Sequence, residues 1–214
     1  AERRMRSLRH QQNAVVAQQG DRPGFAASCP PNPEVEARAA TRAELLAVHN
    51  ESYLDRVQRV SMEGGGALDS DTYVSAASWT AAQHAAGAGL TAVEAIEGGS
   101  ADFGFAAVRP PGHHAESARA MGFCLLNNVA VTAAALVKRG SKVAVVDWDA
   151  HHGNGTQALL WDEPGALVVT SHQSPLWPDT GEVGETGAHD NVINVPLALG
   201  TSGADMRAAY EARV

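Results

Sequence analysis

From residue 103 onward, short apolar runs alternate with segments of helical period, and this alternation restricts the available folds more than any other feature. Residues 103–108, 142–147, 166–170 and 191–195 read as strands, the first of them a buried one. Residues 127–139, 155–161 and 204–213 read as the helices between and after them. Strands joined through helices imply right-handed crossovers. The expected fold is therefore α/β, a mostly parallel sheet flanked by helices on both faces. Ligands of such sheets bind beyond the carboxyl ends of the strands. Here three successive strand ends carry unusual chemistry, in Arg109-Pro-Pro-Gly-His113-His114, Asp147-Trp-Asp149-Ala-His151-His152 and Ser171-His172.

The first hundred residues read differently. A helix is expected over 3–19, a Gly/Pro-rich loop over 20–33, and a short helix opened by the capping-box spacing Thr41-Arg-Ala-Glu44. A second helix is expected from about residue 51, a flexible loop at Gly64-Gly65-Gly66, and a long Ala-rich helix over 75–97. No repeat or linker divides the 214 residues, so they read as one domain.

Composition narrows the function classes. Charged residues at 19% and hydrophobic ones at 44% exclude a disordered chain, and a net charge of −8 argues against direct binding of nucleic acid. Residues 72–93 and 120–137 carry no charge, but Gln83, His84, Asn127 and Asn128 interrupt them, so no membrane span is expected. The arginines near the start precede no apolar stretch of a secretory signal. Cys29 and Cys124 are too few for a disulfide framework or a thiolate zinc site and read as unpaired thiols. A cytoplasmic location is the expectation, with self-association left open.

If the chain stays extended past residue 147, Asp147, Asp149 and His151 share one side at period two. A carboxylate and an imidazole at that spacing can hold one divalent ion, although Asp149 can instead cap the next helix. A histidine of near-neutral pKa at 113–114 can take a proton from a metal-activated water and return it to a leaving amine.

Taken together, Arg109-Pro-Pro-Gly-His-His-Ala115, Gly122-Phe-Cys-Leu-Leu-Asn-Asn128 and Val146-Asp-Trp-Asp-Ala-His-His-Gly-Asn-Gly-Thr-Gln157 resemble the histone deacetylase family. The likeness is greatest to its class II branch and to the bacterial deacetylase-like amidohydrolases. It extends through Arg42-Ala-Glu-Leu-Leu-Ala-Val-His49, Leu68-Asp-Ser-Asp-Thr-Tyr73 and Asn194-Val-Pro-Leu197. The resemblance implies the arginase/deacetylase-like fold and zinc-dependent hydrolysis of an acetylated amine, such as acetyl-lysine or an acetylpolyamine. Asp149 and His151 then match two zinc ligands, and His113 and His114 the paired catalytic histidines, with His114 as general base and acid. Asp147 matches the partner of His113, and Asn154 the partner of His114, a neutral amide where other branches carry Asp. Gly122 and Phe123 match one wall of a narrow substrate channel, with Trp177 opposite. A structural potassium ion is implied at oxygens of Asp147, Asp149, His151, Thr170 and Ser171.

The family's third zinc ligand, a downstream Asp, and its Gly-Gly-Tyr motif have no counterpart before Val214. The sequence is thus expected to be a fragment, incomplete at both ends and lacking the C-terminal part. Without the Tyr, one oxyanion contact worth about 3–4 kcal/mol would be missing. Two other readings compete. A two-metal ureohydrolase would need Asp at position 153, which is Gly. A non-catalytic acyl-amine-binding or assembly module becomes the leading reading if the natural chain ends at Val214.

Overall fold

The computed structural model describes residues 14–18 and 34–214. In chain order the elements are β1 (Ala14–Gln18), β2 (Glu34–Glu36), α1 (Arg42–Leu45), α2 (Glu51–Met62), β3 (Gly65–Ala67), β4 (Tyr73–Ser75) and α3 (Ser78–Glu97). They continue with β5 (Phe103–Ala107), α4 (Asn128–Lys138), β6 (Val143–Asp147), α5 (Asn154–Leu160), β7 (Ala166–Gln173), β8 (Val192–Leu197) and α6 (Gly203–Arg213). Strands β6, β7 and β8 form a parallel sheet in that order, with Asp147 opposite Thr170 and Thr170 opposite Asn194. The α/β class holds, and the helix–strand alternation after residue 103 is as expected.

The extent of parallel pairing is not. β5 joins β1 and β2 in an antiparallel sheet, and β3 pairs with β4 as a small hairpin. Every residue of β5 is exposed, where a buried strand was expected. Apolar composition reports the capacity of a strand for burial, not which neighbour supplies it. The helix expected over 3–19 is also corrected. Residues 3–13 and 19 lie outside the described residues, and 14–18 are a strand laddered to β2 on one edge and β5 on the other. Tertiary pairing on both edges overrides local helical propensity. The loop expected over 20–33 lies outside the described residues. The 64–66 segment enters β3 rather than remaining a free loop.

Thr41 makes both bonds of the capping box with Glu44 and so starts α1. Two apolar clusters meet at α4. Leu45, Leu54, Val57, Leu90 and Val131 belong to the first. Ala130, Ala133, Val145, Leu160 and Val168 belong to the second, against the parallel sheet. Small residues let helices approach closely, which suits α3 and α4 in this alanine-rich chain. Among the described residues no helix is long and apolar enough to cross a membrane.

Buried His49, after α1, joins the site loops to the helical layer. Its Nδ1 lies 3.0 Å from the Glu116 carbonyl, and its Nε2 accepts the Asn127 N–H at 3.0 Å. An acceptor role for Nε2 places the proton on Nδ1, so the ring is neutral. Burial pushes its pKa down to about 4.

Candidate active site

The loop leaving β6 is shaped by its own aspartates rather than by continued extension. The Asp149 N–H donates to Asp147 Oδ1 at 3.0 Å, and the His151 N–H to Asp149 Oδ1 at 2.8 Å. Each short carboxylate holds the backbone two residues on, as Asx turns do. The next edge of the loop is tied to β7, where the Gln173 N–H donates to the Ala150 carbonyl at 2.9 Å. β7 therefore runs to residue 173, three residues beyond the expected end, and Ser171 and His172 lie within it. Asp149 is not a helix cap, because α5 begins behind Gly153 with no side-chain cap bond.

His151 Nδ1 and Asp149 Oδ1 stand 3.0 Å apart. Two ligands of a tetrahedral zinc, each about 2 Å from the ion, are separated by about 3.3 Å. The pair thus fits one edge of such a site. Among the described residues no group of three or more His, Cys, Asp or Glu is arranged to hold a metal ion, so the donors form an incomplete set. Burial opposes the ionised form of Asp149. The backbone and side-chain bonds from His151 more than offset it and hold the carboxyl below the ordinary range.

His113 and His114 follow β5 and face this loop, their rings 3.9 Å apart. His113 Nδ1 lies 2.8 Å from Asp147 Oδ2, and His114 Nδ1 lies 2.8 Å from Asn154 Oδ1. Burial raises Asp147, but the bond and charge of His113 bring it below its usual value. Burial, then the neighbouring His113 imidazole, pushes His114 down to about 4, against the Asn154 bond. The His114 ring is therefore neutral at physiological pH and able to accept a proton. His114 and His151 are ring neighbours at 6.0 Å, edge to face.

Trp177 lies edge-on to His114 at 4.7 Å and to His151 at 6.1 Å, and is 40% exposed rather than buried in the core. Gly122 faces it from the other side. Its φ of +56° is left-handed, and a Cβ there would strike His114 and sit 2.8 Å from the Trp177 ring. Only glycine satisfies both demands. Phe123 also has a positive φ, 63°, and stands exposed beside it. A groove of about 960 Å³ lined by Asp71, Tyr73, Val108 and Arg109 meets the site only at Phe123. A second, of about 590 Å³, runs between the ends of β5 and β6 and borders His113, Asp147 and Asp149.

Of the residues matched to a potassium site, Thr170 lies opposite Asp147 in the sheet, while Ser171, next along the strand, turns its side chain to the other face. The Thr170 hydroxyl donates to Asn194 Oδ1 at 3.0 Å, and Ser171 Oγ accepts from the Tyr210 hydroxyl at 2.9 Å.

Other bonds that hold the site have no local signal in the sequence. Asn154 Nδ2 donates to Glu116 Oε1 at 2.9 Å. His152 bonds Thr180 at 2.7 Å, and Gln157 donates to Glu185 at 2.5 Å, fastening the loop that carries Trp177. His152, Asn154 and Gln157 lie inside the noted motif 146–157, but their partners Thr180, Glu116 and Glu185 lie outside every noted motif. These partners are 28 or more residues apart, beyond any helix or strand period.

The two-metal alternative needs a carboxylate at 153, where the chain has Gly; a Cβ there would overlap Asp147 Oδ2, the atom that holds His113, and would push that side chain aside.

Residues 4–214 match the histone deacetylase domain. A probable deacetylase of Archaeoglobus fulgidus is 37% identical over 171 residues, covering 78% of this chain and 47% of that protein. A histone deacetylase-like amidohydrolase of Pseudomonas aeruginosa is 39% identical over 170 residues, 77% of this chain and 45% of its own. The crystal structure of the HDA15 HD domain superposes with a TM-score of 0.70 at 41% identity, covering 76% of this chain and 48% of that one. The chain thus spans about half the length of the curated relatives it matches.

Proposed function

The chain belongs to the histone deacetylase family of deacetylase-type hydrolases, and from that premise we propose that its site serves zinc-dependent hydrolysis of an acetylated amine. Acetyl-lysine in a peptide or an acetylpolyamine is the substrate type, since either offers a flat amide on a slender chain. One observation carries the reading: two hydrogen-bonded dyads, His113–Asp147 and His114–Asn154, lie side by side against the Asp149–His151 pair.

Asp149 and His151 would hold the zinc ion, which when bound supplies Lewis acidity toward the acyl carbonyl and the attacking water. His114, neutral and holding its Nδ1 proton toward Asn154, takes the water proton on Nε2 as the water oxygen bonds the acyl carbon. The carbon–nitrogen bond then breaks, and the proton passes to the departing amine, giving acetate and free amine. Asp147, 2.8 Å from its Nδ1, keeps the His113 imidazole oriented toward the site. Gly122, Phe123 and Trp177 border the space the acylated chain would cross. A potassium ion at oxygens of Asp147, Asp149, His151, Thr170 and Ser171 would brace the loop from behind. The second reading, an acyl-amine-binding or assembly module without turnover, applies if the natural chain ends at Val214.

The test uses the full-length protein with acetyl-lysine peptide and acetylpolyamine substrates, before and after chelation. Activity is expected to vanish on chelation, return with zinc, and fall by about 1,000-fold or more in His114→Ala. Turnover insensitive to the chelator refutes the mechanism. Substrate binding without turnover at any metal loading selects the second reading.

A further inference from the structure

Glu116 lies two residues past His114, yet its carboxylate reaches back to the far side of the Asn154 amide. We infer that Glu116 is a positioning residue that sets which nitrogen of His114 carries the proton, acting through the orientation of Asn154. Asn154 is 8% exposed and bridges the two, Oδ1 at 2.8 Å from His114 Nδ1 and Nδ2 at 2.9 Å from Glu116 Oε1. The two ends of an amide are alike in size, so its neighbours decide which way it faces. A carboxylate only accepts, so the end toward Glu116 is the NH2 group. A second acceptor agrees with the first: Met121 Sδ lies 3.4 Å from the same nitrogen. Two acceptors with no proton to give fix the amide nitrogen on their side and leave the carbonyl oxygen for His114.

That oxygen needs a hydrogen, so it selects the His114 tautomer protonated on Nδ1 and leaves the lone pair on Nε2. A general base must have that lone pair free. The backbone of Glu116 is anchored for the task, its N–H donating to the Arg119 carbonyl at 2.9 Å and its own carbonyl bonded to His49 at 3.0 Å. The kinetic consequence rests on the deacetylase reading; the tautomer itself does not.

A charge exchange tests the chain of bonds. Glu116→Lys replaces an acceptor by donors, which turns the amide around, presents its NH2 to His114 Nδ1 and moves the ring proton to Nε2. Adding Asn154→Asp supplies a carboxylate that accepts from both the lysine and His114 Nδ1–H. Nitrogen-15 NMR of histidine-labelled protein reads the tautomer directly, without turnover. The wild-type ring is expected to be protonated on Nδ1, the Glu116→Lys ring on Nε2, and the double variant on Nδ1 again. On the acetyl-lysine peptide, kcat should fall about 100-fold in Glu116→Lys with KM nearly unchanged, and recover to within about tenfold in the double variant. Glu116→Gln, which can still offer an oxygen to Asn154, should keep the wild-type tautomer. A wild-type His114 protonated on Nε2 overturns the inference before any variant is made. Retention of the Nδ1 proton in folded Glu116→Lys, or a double variant no different from the single one, overturns it as well. In the full-length protein, the expected NMR pattern with no turnover in any form supports the positioning role and refutes the deacetylase reading instead.

Discussion

At the scale of single residues, the site depends on what has no side chain as much as on what does. Gly122 is pinned between His114 and Trp177 in a left-handed conformation. Gly122→Ala should cost about 1–2 kcal/mol from the backbone alone. The added methyl should also displace His114 and lower turnover at least tenfold, read from thermal unfolding together with kcat. A variant with unchanged Tm and unchanged kcat shows that the contact has no consequence. The residues that face one another across the site were largely legible, because tandem histidines and an Asp-x-His spacing at strand ends are rare enough to stand out. Glu116 was not. Its partner Asn154 is 38 positions away, and a glutamate in a polar loop carries no spacing that distinguishes it from a solvated one. Trp177 was placed through resemblance, and its edge contact with His114 gives that placement a physical basis.

At the scale of elements, helix boundaries followed local chemistry and strand partners did not. Thr41 and Glu44 opened α1 where their capping-box spacing put it, and Asn127 caps α4 by accepting the Ala130 N–H. β5 was legible as a strand, but its antiparallel partner β1 was read as a helix, since pairing over some ninety residues leaves no periodic trace. His49 shows how the elements around the site are joined, and it makes their union sensitive to acid. Its folded pKa of about 4 lies below the ordinary value near 6.5, so both states are neutral above that value and no penalty exists there. As pH falls from about 6.5 toward 4, the unfolded chain binds a proton that the folded one refuses, and stability drops by about 3 kcal/mol in total. Urea unfolding at pH 7.5 and 4.5 should show a smaller acid loss in His49→Gln than in wild type. His114 and His172, also held down by burial, leave a remainder in the variant. Equal acid losses in the two proteins refute the assignment.

At the scale of the whole molecule, the described residues leave apolar strand surface uncovered. Phe105 is 64% exposed on β5 and Trp148 73% exposed past the end of β6, with Val146 beside it. Open strand edges with large exposed apolar groups favour association. Sedimentation velocity of the 214-residue chain should therefore show concentration-dependent self-association, weakened in Trp148→Lys and Phe105→Lys. A monomer at all concentrations removes this expectation. Among the described residues, no strand ladder joins the antiparallel sheet to the parallel one. α4 joins the two apolar clusters, and the loop after β5 is bonded to the loop and helix after β6 by contacts that include His113–Asp147 and His114–Asn154, each 2.8 Å long, and Asn154–Glu116 at 2.9 Å. Apolar packing tolerates small sliding, whereas a bond of that length is weakened by a displacement of a few tenths of an ångström. The proton carriers are thus part of the joint itself, and a strain that shifts one side of it against the other reaches the chemistry as well as the fold.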